Sequence, residues 1–281
     1  MKKILITGAG SYIGTSFEKY IKENYPDEYI VDTVDMIDGS WREKSFVGYD
    51  SVFHVAGIAH HKETKKNVHL YYEVNRNLAI ETAKKAKSDG VKQFIFLSSM
   101  SVYGMDTGVI TKETKPNPKS NYGKSKWQAE QEIAPLASDE FKVCILRPPM
   151  VYGKGCKGNF QTVVKIVKKF PIFPNVKNER SMIYIDNLSS FVKRCMDCEL
   201  FGVRFPQNKE YMSTKDMALW ISEALHKTIY FEYITGICVG ILRCIHPTAK
   251  KGFGSLIYDI QDIRDYCVIS ESDSVKESVF I

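Results

Sequence analysis

Short uninterrupted apolar runs alternate with longer amphipathic runs through the first half of the chain. KKILIT (2–7) carries its apolar residues consecutively, whereas IGTSFEKYIKENY (13–25) spaces them at Ile13, Phe17, Tyr20 and Ile21. The first pattern predicts a buried strand and the second an amphipathic helix. YIVDTVDM (29–36), SVFHVAG (51–57), KQFIFLSS (92–99) and KVCILRPP (142–149) repeat the strand pattern. LYYEVNRNLAIETAKKAKSDG (70–90), with Gly90 as its C-cap, and SNYGKSKWQAEQEI (120–133) repeat the helical one. Continuous apolar strands separated by helices are expected of a parallel sheet covered on both faces. The expected fold class is therefore α/β, a doubly wound, Rossmann-like parallel sheet.

The pattern becomes irregular after about residue 150. YGKGCKGNFQTVVKIVKKF (152–170) predicts a Gly-rich loop and a helix, and RSMIYIDNLSSFVKRCM (180–196) a short strand and a returning helix. The expected division is a sheet domain over 1–152, with 180–200 returning to it, and a smaller lobe over 153–281. Ligands of open α/β sheets bind at the carboxyl ends of the strands, so the lobe is expected to close over that edge. No internal repeat or low-complexity linker interrupts the chain.

Bulk properties narrow the classes of function. With 281 residues, 44% hydrophobic and 26% charged, the chain can bury a sizeable core. A net charge of +6, with lysines scattered rather than gathered in an aromatic-interleaved patch, argues against nucleic acid and suits an anionic small molecule. YITGICVGILRCI (233–245) is too short to span a bilayer and contains Arg243, so a buried or amphipathic helix is expected rather than stable membrane insertion. Seven dispersed cysteines without a visible secretory signal predict reduced thiols in a cytoplasm. Cys195 and Cys198 form a C-x-x-C without a second pair or a nearby histidine, so no metal site is expected.

Chemistry concentrates at the ends of the predicted strands. ITGAGSYIG (6–14) joins the first strand to the first helix, placing Gly8, Gly10, Ser11, Tyr12, Ile13 and Gly14 where a dinucleotide's pyrophosphate would meet a helix N-terminus. Asp35 lies 21 residues beyond Gly14, where an acid binds the adenosine ribose hydroxyls and favours NAD over NADP; a capping aspartate reads equally well. FLSSMSVYG (96–104) ends a strand beside the helix that carries Tyr122 and Lys126. Ser99, Tyr122 and Lys126 together make an acid–base set: the lysine cation is expected to lower the tyrosine's pKa and to hydrogen-bond a nicotinamide ribose.

These segments, taken in order with FHVAG, VNRN, YGKSK, LRPPMVYG and RSMIYIDNL, resemble the extended short-chain dehydrogenase/reductase family of nucleotide-sugar epimerases and dehydratases over nearly the whole chain. The resemblance implies a catalytic Ser99, Tyr122 and Lys126, cofactor contacts at Ala56 and Asn75, and substrate contacts at Ser99, Asn159 and Arg180. It also implies an NAD cofactor, with NADP an alternative, and a homodimer paired through the helices around 71–87 and 122–133.

Three departures stand against the family pattern. Ser11 replaces the middle glycine of the usual turn, and Met150 replaces the usual asparagine before VYG. Only 15 residues separate Asp35 from Ser51, which leaves little room for the helix and strand that the family fits there. RPPMVYGKGCKGNF with FGSLIYD resembles a subgroup acting on UDP-N-acetylhexosamine derivatives in surface-polysaccharide synthesis. The leading expectation is a UDP-hexose or UDP-N-acetylhexosamine 4-epimerase working by transient oxidation at C4. An NAD(P)H-dependent 4-keto reductase is the alternative, and a non-catalytic cofactor sensor the third reading, which an intact Ser-Tyr-Lys set argues against.

Overall fold

The computed structural model of the protein describes residues 1–59, 63–64, 66–233, 250, 252–263, 266–267 and 279. The stretch 234–245, most of the expected apolar helix, lies outside the described residues. The chain forms two compact units. The first comprises Met1–Gly104, Lys115–Pro148 and Leu188–Pro206; the second comprises Met105–Thr114, Pro149–Asn187 and Gln207–Ile281.

The first unit is built on β1 (Lys2–Thr7), β2 (Tyr29–Val34), β3 (Ser51–His54), β4 (Gln93–Leu97), β6 (Lys142–Leu146) and β10 (Gly202–Arg204), with strands numbered through the whole chain. Their order in the sheet is β10-β6-β4-β3-β1-β2, and every pairing is parallel. Thr7, Val34, His54, Phe96 and Ile145 stand in register, so the turns that follow these strands leave the sheet along one edge.

Helices α1 (Tyr12–Asn24), α2 (Val68–Tyr72), α3 (Ala79–Ser88) and α4 (Asn121–Ile133) supply the connections. Ile4, Leu5 and Ile6 are all at most 1% exposed, which explains why the strand shows no polar alternation. On one face Leu5, Val52, Phe94, Phe96 and Ile145 pack with Ala79, Ala83, Ala129 and Ile133; small residues on α3 and α4 let these helices approach closely. On the other face the ring of Phe17 meets that of Phe53 edge-on at 5.3 Å. At the end of α3, Gly90 takes a left-handed φ of 77° while Val91 N–H bonds Ala86 O at 3.0 Å, the expected glycine stop.

Two details differ from the periodicity. The predicted helix over 70–90 is divided: a π-helical segment, Glu73–Leu78, separates α2 from α3. The sheet also stops at β2, with only a 3₁₀ turn at Ser40–Arg42 between Asp35 and Ser51. Met36, Trp41 and Phe46 from this short connection are buried against Leu5 and Val52, covering core that a longer excursion would otherwise cover.

The second unit is made of short parallel pairs. β5 (Gly108–Ile110) pairs with β13 (Leu256–Tyr258), β7 (Met150–Tyr152) with β9 (Met182–Tyr184), and β8 (Ile172–Pro174) with β12 (Tyr230–Glu232). β11 (Gln207–Asn208) pairs with β14 (Tyr266–Cys267). Helices α5 (Asn159–Lys169) and α7 (Thr214–Ala224) pack here, while α6 (Ile185–Asp197) runs into the first unit from Leu188 onward.

Candidate active site

The turn after β1 is shaped for close approach. Gly8 and Gly10 have φ of 113° and 73°, and the N–H groups of Gly8 and Ala9 donate to Val34 O at 3.0 and 3.1 Å. A Cβ on Gly8 would stand 2.8 Å from Ala56 N, so only glycine lets the turn lie against the segment after β3. Ser11, the departure from the family turn, is the N-cap of α1: its Oγ accepts from Gly14 N–H at 3.2 Å. A Cβ on Gly14 would sit 2.7 Å from that Oγ and about 3 Å from Val55 and Ile6, which explains the bare position. Tyr12 and Ile13 open α1, whose first turn carries no acidic side chain. The positive end of the helix dipole is therefore left to an anion, and these residues fit a pyrophosphate.

Asp35 directly follows β2 at the same sheet edge. It is exposed, and its carboxylate accepts Ile37 N–H at 2.9 Å. That hydrogen bond is the turn-forming role, at the strand end where a ribose-binding acid was also expected.

The acid–base residues meet where β4 and α4 converge. Ser99 caps the 3₁₀ turn Met100–Tyr103, its Oγ accepting Ser101 N–H at 3.1 Å. Ser120 caps α4 by accepting Gly123 N–H at 3.1 Å, which places Tyr122 in the first turn and Lys126 one turn further. Tyr122 is half-buried, hydrogen-bonded to Ser99, with its ring 6.5 Å from that of Tyr71. Lys126 is 4% exposed; its Nζ donates to Leu97 O at 2.8 Å and lies 4.7 Å from the ring centre of Phe96.

Asn75, wholly buried in the π-helical segment, ties the third strand end to the same helix. Its Oδ1 accepts Ile58 N–H at 2.8 Å, while its Nδ2 donates to Ile58 O at 3.1 Å and to Ser125 Oγ at 3.3 Å. A Cβ on Gly57 would stand 2.9 Å from Asn75 Oδ1 and 3.3 Å from Lys126 Nζ. A π turn at such a place is a common way to aim one side chain out of helical register.

Burial dominates the electrostatics. It pushes Lys126 down to about 7, against the nearby Glu130 carboxylate, which pulls it up. Burial likewise raises the Tyr122 phenol; the Ser99 hydrogen bond lowers it and Tyr71 raises it further. The expected direct lowering of Tyr122 by Lys126 does not operate in this arrangement: burial brings Lys126 to about 7, so its charge is gone before the raised Tyr122 phenol titrates. His54, fully buried between Phe94 and Phe96 with Nδ1 2.8 Å from Thr7 Oγ1, is pushed down to about 3 by burial and by Lys126.

Asn159 and Arg180 belong to the second unit. Asn159 is the exposed first residue of α5, preceded by Gly158 at φ 97°. Arg180 is half-buried and donates from Nη1 to Gly254 O at 2.7 Å; burial lowers its pKa against the pull of Asp106. Cys195 is buried and Cys198 exposed, and no cluster of metal-ligating side chains occurs among the described residues.

Sequence reasoning missed Gly57, Gly123, Glu130 and Arg147. The one available signal for Glu130 was its position four residues after Lys126, and for Arg147 its isolation in the apolar run KVCILRPP.

A parallel sheet that gathers a Gly-rich helix start and a Ser-Tyr-Lys set at one edge defines a dinucleotide-dependent enzyme working by proton and hydride transfer. The model of the NAD dependent epimerase/dehydratase family matches residues 4–200, and the chain belongs to that family. A UDP-glucose 4-epimerase of Vibrio cholerae is 34% identical over 221 residues, 70% of this chain and 67% of that protein. An N-acetyl-alpha-D-glucosaminyl-diphospho-ditrans,octacis-undecaprenol 4-epimerase of Escherichia coli O157:H7 is 26% identical over 97% of this chain and 88% of its own length. In fold, the chain is similar to a Bacillus cereus UDP-glucuronic acid 4-epimerase in complex with NAD, with TM-score 0.75, 19% identity, and 99% and 95% of the two chains covered. A dTDP-4-dehydrorhamnose reductase of Clostridium acetobutylicum gives TM-score 0.76 at 20% identity over 99% and 98%. The protein is thus an enzyme that works with a nicotinamide cofactor, and no helix among its described residues is long and apolar enough to cross a membrane.

Proposed function

We propose that the protein is a nucleotide-sugar 4-epimerase acting on a UDP-hexose or UDP-N-acetylhexosamine. The observation that carries this reading is the convergence of Ser99, Tyr122 and the buried Lys126 where β4 meets α4, at the edge that also holds the Gly-rich turn. Tyr122 takes the proton of the C4 hydroxyl and later returns it, while Ser99 holds the same oxygen. Lys126, fixed by Leu97 O and flanked by Asn75, supplies a positive neighbour and a donor to the nicotinamide ribose. When bound, NAD supplies the hydride exchange at C4. Gly8, Gly10 and Ser11 to Gly14 hold its pyrophosphate, with Ala56 packed against the turn. Asp35 holds the adenosine ribose and disfavours the 2′-phosphate of NADP. Asn159 and Arg180 hold the substrate diphosphate.

Dehydration is disfavoured, because Met100 and Ser101 follow Ser99 where elimination would need an added acid and base; neither side chain titrates as one near neutral pH. A homodimer through α2, α3 and α4 is the pairing the family resemblance implies; exposed Leu70 of α2 and half-buried Val74 and Leu78 of the π-helical segment are available to it, whereas Tyr71, Ala79 and Ala83 are buried within the subunit. A cytoplasmic setting suits the thiols of Cys144, Cys156 and Cys198, none of them in a disulfide. A sugar carried on a polyprenyl diphosphate is the second reading, favoured by the relative matched over 97% of this chain.

The test is to incubate the purified protein with UDP-sugars, their 4-keto derivatives and a polyprenyl-diphosphate-linked N-acetylglucosamine, with and without added cofactor. Inversion at C4 without net cofactor consumption is expected. Stoichiometric loss of NADH or NADPH with a 4-keto sugar would instead make the protein a reductase using the same residues.

A further inference from the structure

Behind the acid–base residues lies a second layer of side chains with no assigned role. Glu130 is one helical turn past Lys126 on α4 and is 2% exposed; Arg147, just after β6, is 6% exposed. Arg147 Nε lies 3.1 Å from both carboxylate oxygens of Glu130, and its Nη2 donates to one of them. The Ser98 hydroxyl, on the residue before Ser99, donates to the same carboxylate. Arg147 Nη1 donates to Tyr103 Oη at 2.8 Å, and the guanidinium stacks 5.2 Å from the Tyr103 ring and 5.4 Å from the Trp127 ring.

The layer therefore grips both arms of the site. Ser98 and Tyr103 bracket the Ser99 turn, while Glu130 and Trp127 belong to the helix of Tyr122 and Lys126. A buried ion pair is seldom retained for stability alone, since apolar residues of similar volume commonly serve as well or better. We infer that the Glu130–Arg147 pair is a positioning device that holds Ser99 against Tyr122, with the Glu130 carboxylate one helical turn behind Lys126. Neither residue touches the reacting atoms.

The charges around Lys126 fit this role. Glu130 faces it from its own helix, on which Tyr122 stands one turn earlier; His54 faces it from β3 and the uncharged Asn75 lies near it in the π-helical segment, with Arg147 beyond Glu130. Among these only Glu130 is an anion, and it opposes the desolvation that drives Lys126 toward neutrality. His54 stays neutral in its apolar surroundings and contributes nothing to hold the cation.

The inference rests on the acid–base roles of Tyr122 and Lys126, so its test carries one readout that needs no substrate. Glu130→Gln and the paired change Glu130→Leu with Arg147→Met are compared with the native protein by thermal unfolding, by NMR titration of the Lys126 ε-carbon, and by kcat and KM. The paired apolar change is expected to recover stability lost in the single variant. Its kcat is expected to stay at least tenfold low with KM nearly unchanged, the cost of misplacement by a fraction of an ångström. In both variants the Lys126 titration midpoint moves to lower pH, and the basic limb of the rate profile moves with it. A stable paired variant with native kcat, or a Lys126 midpoint that does not move, would overturn the inference. A native protein inactive on every sugar would defeat the proposed reaction, and the Lys126 midpoint would still decide this claim.

Discussion

Replacing Gly123 with alanine adds one methyl group at a crowded point of the candidate site. Its Cβ would stand 2.5 Å from Ser101 O and 3.2 Å from both Ser101 C and Pro118 Cβ. Ordinary contact begins near 3.4 Å, so the start of α4 must retreat from the Ser99–Tyr103 turn by about 0.9 Å, the difference between 3.4 and 2.5. The nearest obstruction, the Ser101 carbonyl, is backbone and cannot rotate aside. The retreat separates Tyr122, one residue earlier, from the Ser99 hydroxyl it bonds. A misplacement of about 1 Å costs on the order of 10²-fold in rate. Overpacking destabilises by about 1–3 kcal/mol, and alanine's better helix propensity returns about 1 kcal/mol, so the fold survives. Steady-state kinetics with thermal unfolding read the two effects apart: kcat falls about a hundredfold, while the melting temperature drops by only a few degrees. A Gly123→Ala protein with kcat within about twofold of native would refute the claim that the Ser99–Tyr122 spacing governs the chemistry.

Tyr122→Phe deletes only the proton carrier, so kcat is expected to fall by about 10² to 10⁴ with cofactor affinity retained in a binding titration. Stability carries the mark of two buried bases. Lys126 is depressed from 10.5 to about 7, so the unfolded chain binds the extra proton between those values and stability rises with pH across that window. His54 is depressed from 6.5 to about 3, so stability is lost as pH falls through that range. Urea unfolding across pH checks both slopes, and Lys126→Met should remove the alkaline one. Light scattering at micromolar concentration is expected to give a dimer, and a monomer would remove the proposed helical interface.

The sheet was legible because a strand buried on both faces needs no polar residues, and Ile4, Leu5 and Ile6 or Phe94, Ile95 and Phe96 show none. The Gly-rich turn and the Tyr122–Lys126 spacing were legible for a similar reason: backbone approach and helix geometry restrict which residues can stand there. The short connection after Asp35 could be measured but not interpreted. Trp41 and Phe46 look like any apolar residues until packing shows them closing the core where the sheet ends. Asn75 was visible as a residue, but the π-helical segment that aims it leaves no break in the apolar spacing. Glu130 and Arg147 drew no reading from the sequence, because most charged residues are exposed and nothing local marks a buried one. Their burial depends on a pairing across 17 positions that no local pattern records.

The most direct test of the central claim is to follow C4 of a UDP-hexose or UDP-N-acetylhexosamine by NMR in deuterated water, with the native protein and catalytic NAD. Proton exchange through Tyr122 occurs at oxygen, whereas the hydrogen on C4 travels as hydride and does not meet solvent. The account predicts inversion at C4 with the original hydrogen retained, no net change in cofactor, and no loss of water. Deuterium at C4, or a 4-keto-6-deoxy product, would contradict it.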